Sequence, residues 1–182
     1  KALVNYQKAV RAKKPDAADQ VVLQEQALLR VGLCQGQLPV PKWADSEKTF
    51  KQFLAAYPKH DHIRMAQHGL GLALKNQEKH DVALKEFESV LSEAIRDELG
   101  AHSQFLLGEC YLEQKMYDKA IAEYVKVETL YAFPQWQSKA IYEMGKALDG
   151  KGDKTNAQAQ YKRLIQKFPD TPAATAAKGE LK

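Results

Sequence analysis

The chain of 182 residues is poor in cysteine, with only Cys34 and Cys110. A small domain held by disulfides would use more of them, so no disulfide framework is expected. Long apolar runs are missing as well. No stretch approaches the roughly 20 apolar residues of a membrane-spanning helix. No signal peptide is visible. The chain starts at Lys1 rather than Met, so it is expected to be a portion of a longer one. Membrane attachment is therefore expected only through a segment missing from it. Charge of one sign is also scarce: the net charge is +4. Both signs interleave, as where Glu113 and Asp118 alternate with Lys115 and Lys119. A nucleic-acid surface needs lysines and arginines clustered on one face. The one tight group, Arg11 with Lys13 and Lys14, reads as a helix C-terminus, where cations meet the negative end of the helix dipole. Nucleic acid is thus not an expected partner.

Catalytic signatures are missing too. There is no phosphate loop, nucleophile motif or dinucleotide fingerprint. Glu86, Glu88, Glu123 and Glu128 are interspersed with lysines and read as exposed ion-paired residues, not as a catalytic pair. No enzyme activity, catalytic residue or cofactor is expected. His60, Asp61, His62 and His68 are the only histidine-rich group. They lack the fixed geometry and further ligand that a metal needs, so no metal site is assigned. Asp61 reads instead as the N-cap of the helix that follows.

What the sequence does have is repetition. Apolar residues make up 45% and charged residues 27%, enough to bury a core. Gly71, Gly108 and Gly145 are spaced 37 residues apart. Ala83, Ala120 and Ala157 keep the same step. So do Phe50, Phe87, Tyr124 and Tyr161, and so do Phe53, Val90, Val127 and Leu164. Ala83, Phe87 and Val90 stand at i, i+4 and i+7, one face of a helix. Leu70 with Leu74, and Leu107 with Tyr111, show the same for the helix before. Each unit therefore reads as two helices in a hairpin, and equal units in series read as a solenoid. A glycine inside a helix costs roughly 0.5–1 kcal/mol relative to alanine. Its recurrence implies close packing, expected here against Ala83, Ala120 and Ala157. The aromatic column is expected to fill the space between hairpins.

In chain order, residues 1–15 read as a half repeat. Ala2, Tyr6 and Ala9 imitate Ala83, Phe87 and Val90, Pro15 closes this helix, and Asp16 caps the next. Full repeats follow at 16–58, 59–94, 95–134 and 135–169, with a polar capping helix at 170–182. Gly32 joins the glycine column, but it lies 39 residues before Gly71. The two extra residues fall in Leu38-Pro39-Val40-Pro41, which cannot all be helical. Residues 149–153, Asp-Gly-Lys-Gly-Asp, read as an open turn. All 182 residues are taken as one repeat domain.

The columns Gly108, Tyr111, Ala120, Tyr124 and their counterparts resemble the tetratricopeptide repeat over residues 17–182. The period of 37 departs from that family's usual ~34. The tryptophan that opens the family's first helix is replaced by Leu28, Gln67, Gln104 and Ile141. Tyr57-Pro58, Phe133-Pro134 and Phe168-Pro169 are similar to the repeat endings of bacterial envelope proteins. The resemblance implies an all-α, right-handed superhelical solenoid of antiparallel helix hairpins, about nine to ten helices in all. It implies that the first helix of each hairpin lines a concave face where partner segments lie. It favours the bacterial periplasm or envelope over the cytoplasm.

The offsets −3, +1 and +4 from each column glycine share one helical stripe. With Met65, they give a candidate partner-binding set: Leu29, Leu33, Met65, His68, Leu72, Phe105, Glu109, Leu112, Tyr142 and Lys146. Aromatic and apolar anchors in a groove are the usual centres of such contacts. The expected function is a non-catalytic scaffold that binds a protein or peptide partner. The alternative is a structural or self-assembling spacer of a larger envelope protein, which would make the chain a homo-oligomer.

Overall fold

The computed structural model describes the backbone of residues 1–11 and 18–181, and the side chains of residues 1–11 and 24–181. Lys13, Lys14, Pro15 and Asp16, with the roles expected of them, lie outside the described residues. Among the described residues the chain forms ten α-helices and no strand. It packs as two compact units, residues 1–90 and 91–182.

The first unit holds α1 (Ala2–Arg11), α2 (Ala18–Gly36), α3 (Trp43–Ala56), α4 (Ile63–Lys75) and α5 (His80–Leu91) up to Val90. Here α2 packs on α1 and α3, α3 also packs on α4, and α2 touches α4 directly. The second unit holds α6 (Glu98–Glu113), α7 (Tyr117–Leu130), α8 (Pro134–Lys151), α9 (Lys154–Lys167) and α10 (Pro172–Glu180). Successive helices pack on each other, and α8 also contacts α6 and α10. The short links between packed neighbours make each pair a hairpin.

The repeating columns are the core. Phe50, Phe87, Tyr124 and Tyr161 are buried, as are Phe53, Val90, Val127 and Leu164 and the three column alanines. Each large side chain so buried contributes roughly 1.5–3 kcal/mol. The glycines make room for rings rather than for alanines. A Cβ on Gly71 would stand 2.6 Å from Phe87 Cε1, and one on Gly108 would stand 2.6 Å from Tyr124 Cε1. Gly32 stands in the same relation to Phe50, at 2.9 Å. The ring lies against the backbone of its own hairpin partner, and alanine's methyl would occupy the ring's place. Tyr124 reaches the next hairpin too, clustering with Ala140 and Met144 of α8. Phe50 is pressed from both sides, since Gly69 of α4 also abuts its ring. Phe50 lies 18 residues beyond Gly32, whereas Phe87, Tyr124 and Tyr161 lie 16 beyond their glycines. The two extra residues are looped out before α3, where Val40 is 79% exposed.

Helix ends follow local chemistry. Asp97, Asp153 and Thr171 cap α6, α9 and α10, each side chain accepting from a backbone N–H three residues on. Pro134 and Pro172 open α8 and α10, where a missing N–H costs nothing. Phe133-Pro134 thus begins a helix rather than closing one, and α7 ends earlier, at Leu130. Asp61 is not an N-cap. His62 takes that position for α4, without a side-chain cap bond. The expected open turn at 149–153 is shorter than its glycines suggested. Helix α8 continues through Gly150, against which the Tyr117 ring packs, to Lys151, and Gly152 makes the stop at φ 91°. In α1 no residue is buried: Ala2 is exposed, and Tyr6 and Ala9 are half-buried, unlike their counterparts. Helix α1 packs on α2.

Candidate functional site

The candidate residues lie on the first helices of the hairpins: α2 and α4 in the first unit, α6 and α8 in the second. Helical spacing puts offsets −3, +1 and +4 on one stripe, but these offsets differ in depth. Leu29, His68 and Phe105, at −3, are buried at 4%, 8% and 6% exposure. The His68 ring packs 6.1 Å from that of Phe87. Phe105 packs 5.7 Å from both Tyr124 and Trp136. Tyr142, the fourth member, is half-buried, tilted against Tyr161, with its hydroxyl donating to Glu180 at 3.0 Å. Burial, and then Glu180, pushes its phenol up to about 12. The −3 column is therefore buried in its first three members and half-buried in the fourth.

The other offsets stay accessible. In the first unit, Met65 is 37% exposed. Leu33 and Leu72 are half-buried and line one crevice of about 70 Å³ with Gly36, Trp43, Phe50 and Gly69. In the second unit, Glu109, Leu112 and Lys146 meet at one cleft of about 420 Å³. Its wall is completed by Glu113, Lys115, Tyr117, Glu143 and Gly150. Lys146 pairs with Glu143 at 2.9 Å, one turn back on α8, and lies 5.7 Å over the Tyr142 ring. The structure thus brings three of the candidates together in the second unit and two in the first.

Sequence reasoning missed part of this wall. Glu113 and Gly150 stand five beyond their column glycines, and Glu143 stands two before. A stripe widened by one residue on each side would have found them. It also missed a cluster at the start of α8. There the His102 ring stacks on Trp136 at 4.1 Å, and Lys139 lies 4.4 Å over the same ring. Burial, and then the Lys139 ammonium, holds the His102 imidazole down at about 4 despite Glu98 nearby, so it is neutral at neutral pH.

The acidic residues read as exposed are partly sunk. Glu86, Glu123 and Glu128 are half-buried, and only Glu88 is exposed. Glu128 receives both guanidinium nitrogens of Arg163 at 2.8 Å and Lys167 at 2.9 Å, joining α7 to α9. Glu123 accepts from Lys126 and from Gln104. These carboxylates hold helices together, which requires them to sit at a helix boundary rather than in bulk water. The histidines are likewise engaged: His60 contacts Glu25 at 3.2 Å through Nε2 and accepts from the His62 backbone N–H through Nδ1. Among the described residues no group of three or more histidine, cysteine or acidic side chains is placed to hold a metal. Cys34 is half-buried and Cys110 buried, and neither forms a disulfide. No helix among the described residues is long and apolar enough to cross a membrane.

Two family models, each described as tetratricopeptide repeat, match residues 68–134 and 139–171. Together they span more than half of the chain. No curated protein sequence matches it. Several solved structures share the fold. MamA residues 41 to the end, from Desulfovibrio magneticus RS-1, align at 19% identity over 94% of this chain and 97% of that one, with TM-score 0.70. A further MamA crystal structure aligns at 19% identity over 98% of this chain and 89% of that one, with TM-score 0.71. YrrB, described as a repeat protein with an unusual peptide-binding site, aligns at 19% identity over 97% and 81%, with TM-score 0.69.

Proposed function

Because the chain belongs to the tetratricopeptide repeat family, whose members are protein-interaction scaffolds, we propose that it binds a segment of a partner protein without catalysis, on the concave face formed by the first helices of its hairpins. The observation that carries this reading is the convergence of Glu109, Leu112 and Lys146, from two successive first helices, on one cleft. Leu33 and Leu72 form a smaller apolar crevice in the first unit in the same way. The peptide-binding site described for YrrB supports the reading by likeness of fold. Apolar side chains at the crevice and cleft supply contact area, and the surrounding charges select register. Helices held by their own core keep these walls in place before the partner arrives, which limits the ordering cost of binding.

The buried Leu29, His68 and Phe105 support the walls rather than touch the partner. The test is selection of peptides from a random displayed library on the intact chain. Leu72→Glu and Leu112→Glu are expected to weaken the selected peptides about tenfold each, within the range of a moderate interface residue. Far-ultraviolet circular dichroism should be unchanged. Selected peptides that ignore both substitutions would refute the reading.

A further inference from the structure

The column three residues beyond the glycine has one outlier. The later repeats place Leu74, Tyr111 and Leu148 there, and the first places Gln35. Gln35 is only 6% exposed. Its Oε1 accepts from the Thr49 hydroxyl at 2.8 Å. Among the described residues its Nε2 donates to nothing. A buried amide left half satisfied is costly, and leucine at this position would avoid the cost.

Gln35 lines a pocket of about 410 Å³ between α1, α2 and α3, wholly inside the first unit. Its Nε2 is unpartnered there yet still open to solvent. The pocket uses a different stripe of α2 from the partner-binding candidates. Leu28, Val31 and Gln35 stand at −4, −1 and +3 from Gly32, whereas the candidates stand at −3, +1 and +4. Val10, Leu28 and Val31 give the pocket apolar surface, all of them buried or half-buried. Among the described residues that line it, Arg11 and Lys48 are cations and Asp45 is the one acid. None of these three side chains forms an ion pair with another described residue. The pocket therefore offers a surplus positive charge and an unused N–H beside an apolar surface. Its volume falls in the range of small-ligand pockets, roughly 300–1,000 Å³.

We propose that this pocket binds a carboxylic acid with a short aliphatic body. Gln35 Nε2 and the Lys48 and Arg11 cations hold the carboxylate, and Val10, Leu28 and Val31 cover the body. The bond from Thr49 to Gln35 Oε1 is kept, and it holds the amide in place for the ligand. A free organic acid offers this chemistry, and so does a glutamate side chain of a partner segment.

The probes are isocaproate and the blocked tripeptide Gly-Glu-Gly, titrated into the isotope-labelled intact chain and followed by nuclear magnetic resonance. Their uncharged counterparts, isocaproamide and Gly-Gln-Gly, are the controls. At least one acid is expected to move the backbone signals of residues 28–35 and 45–52, and the amides to leave them in place. Tighter binding of isocaproate makes the ligand a small molecule, and tighter binding of the tripeptide makes it a partner's glutamate; either supports the proposal. Gln35→Met keeps the length of the side chain and leaves Thr49 to donate to the Asp45 carbonyl, 2.9 Å away. Its circular dichroism should match that of the native chain. It should bind the acid about tenfold more weakly, the effect of losing one hydrogen bond to a charged group. Lys48→Met should weaken binding about threefold, as loss of an exposed cation does. Lys162→Met, exposed in the second unit, should leave it unchanged. Because Lys48 is exposed, its variant decides even where Gln35→Met fails to fold. Acids that leave these signals in place, amides that move them as far, or a Lys48→Met chain that binds like the native one would overturn the proposal.

Discussion

Gly145→Ala tests the reason for the glycine column. In an ordinary exposed helix the change would stabilise by about 0.5–1 kcal/mol, because alanine restricts the unfolded chain more. Here the new Cβ would lie 2.8 Å from both Tyr161 Cδ1 and Cζ, and closer still to Cε1. The ring cannot retreat. It is 1% exposed, packed with Ile141, Ala157, Leu164 and the alanines of α10, and tied at its hydroxyl to Asp149. Forcing a methyl group into such a site costs about 1–3 kcal/mol. The net expectation is a loss of about 1–2 kcal/mol, or roughly 3–6 °C in melting temperature for a chain of this size. Gly179→Ala in α10 is the matched control, since nothing lies within 4 Å of its Cβ position. That change should stabilise by about 0.5 kcal/mol, because it keeps the propensity gain and meets no ring. Urea unfolding followed by circular dichroism reads both variants. If Gly145→Ala is as stable as the native chain, or if the two substitutions shift stability in the same direction, the steric account is wrong.

Three further outcomes follow from the geometry. Tyr161→Phe, which deletes the bond to Asp149, should lose about 1 kcal/mol in the same unfolding assay. The Lys51 ammonium, and then that of Lys79, holds the Glu47 carboxyl at about 2 against its ordinary 4.5. A folded value below the unfolded one gives stability that is complete above pH 4.5 and lost as pH falls toward 2, so urea midpoints of the native chain should drop over that window more than those of Glu47→Gln. His102 is held at about 4 against its ordinary 6.5, so the unfolded chain takes up the proton first. Its contribution should be complete above pH 6.5 and decline toward pH 4, and its ring protons should titrate near 4 by nuclear magnetic resonance.

Much of the fold was readable because it repeats. Four columns in one register identified the helices that form the core, and the excess of two residues before Gly71 located the extruded loop. Other features depend on contacts that no column records. The glycines were expected to face alanines, since small residues commonly mark close helices, but what needs the space is the aromatic ring 16 residues later. The stripe from Leu29 through Phe105 looked open because helical spacing gives direction and not depth. Offset −3 is buried in three of its four members, whereas +1 and +4 are half-buried or exposed. The acidic part of the cleft escaped notice because Glu113 and Glu143 stand just off the stripe.

The loop at 38–41 carries a practical lesson. Two residues more than in any later hairpin are accommodated there, yet Phe50 still meets Gly32 as Phe87 meets Gly71. Added length at that tip is spent in solvent and never reaches the aromatic–glycine seam. A dye-bearing cysteine or a short affinity tag placed beside Val40 would therefore report on the first unit without disturbing its interior.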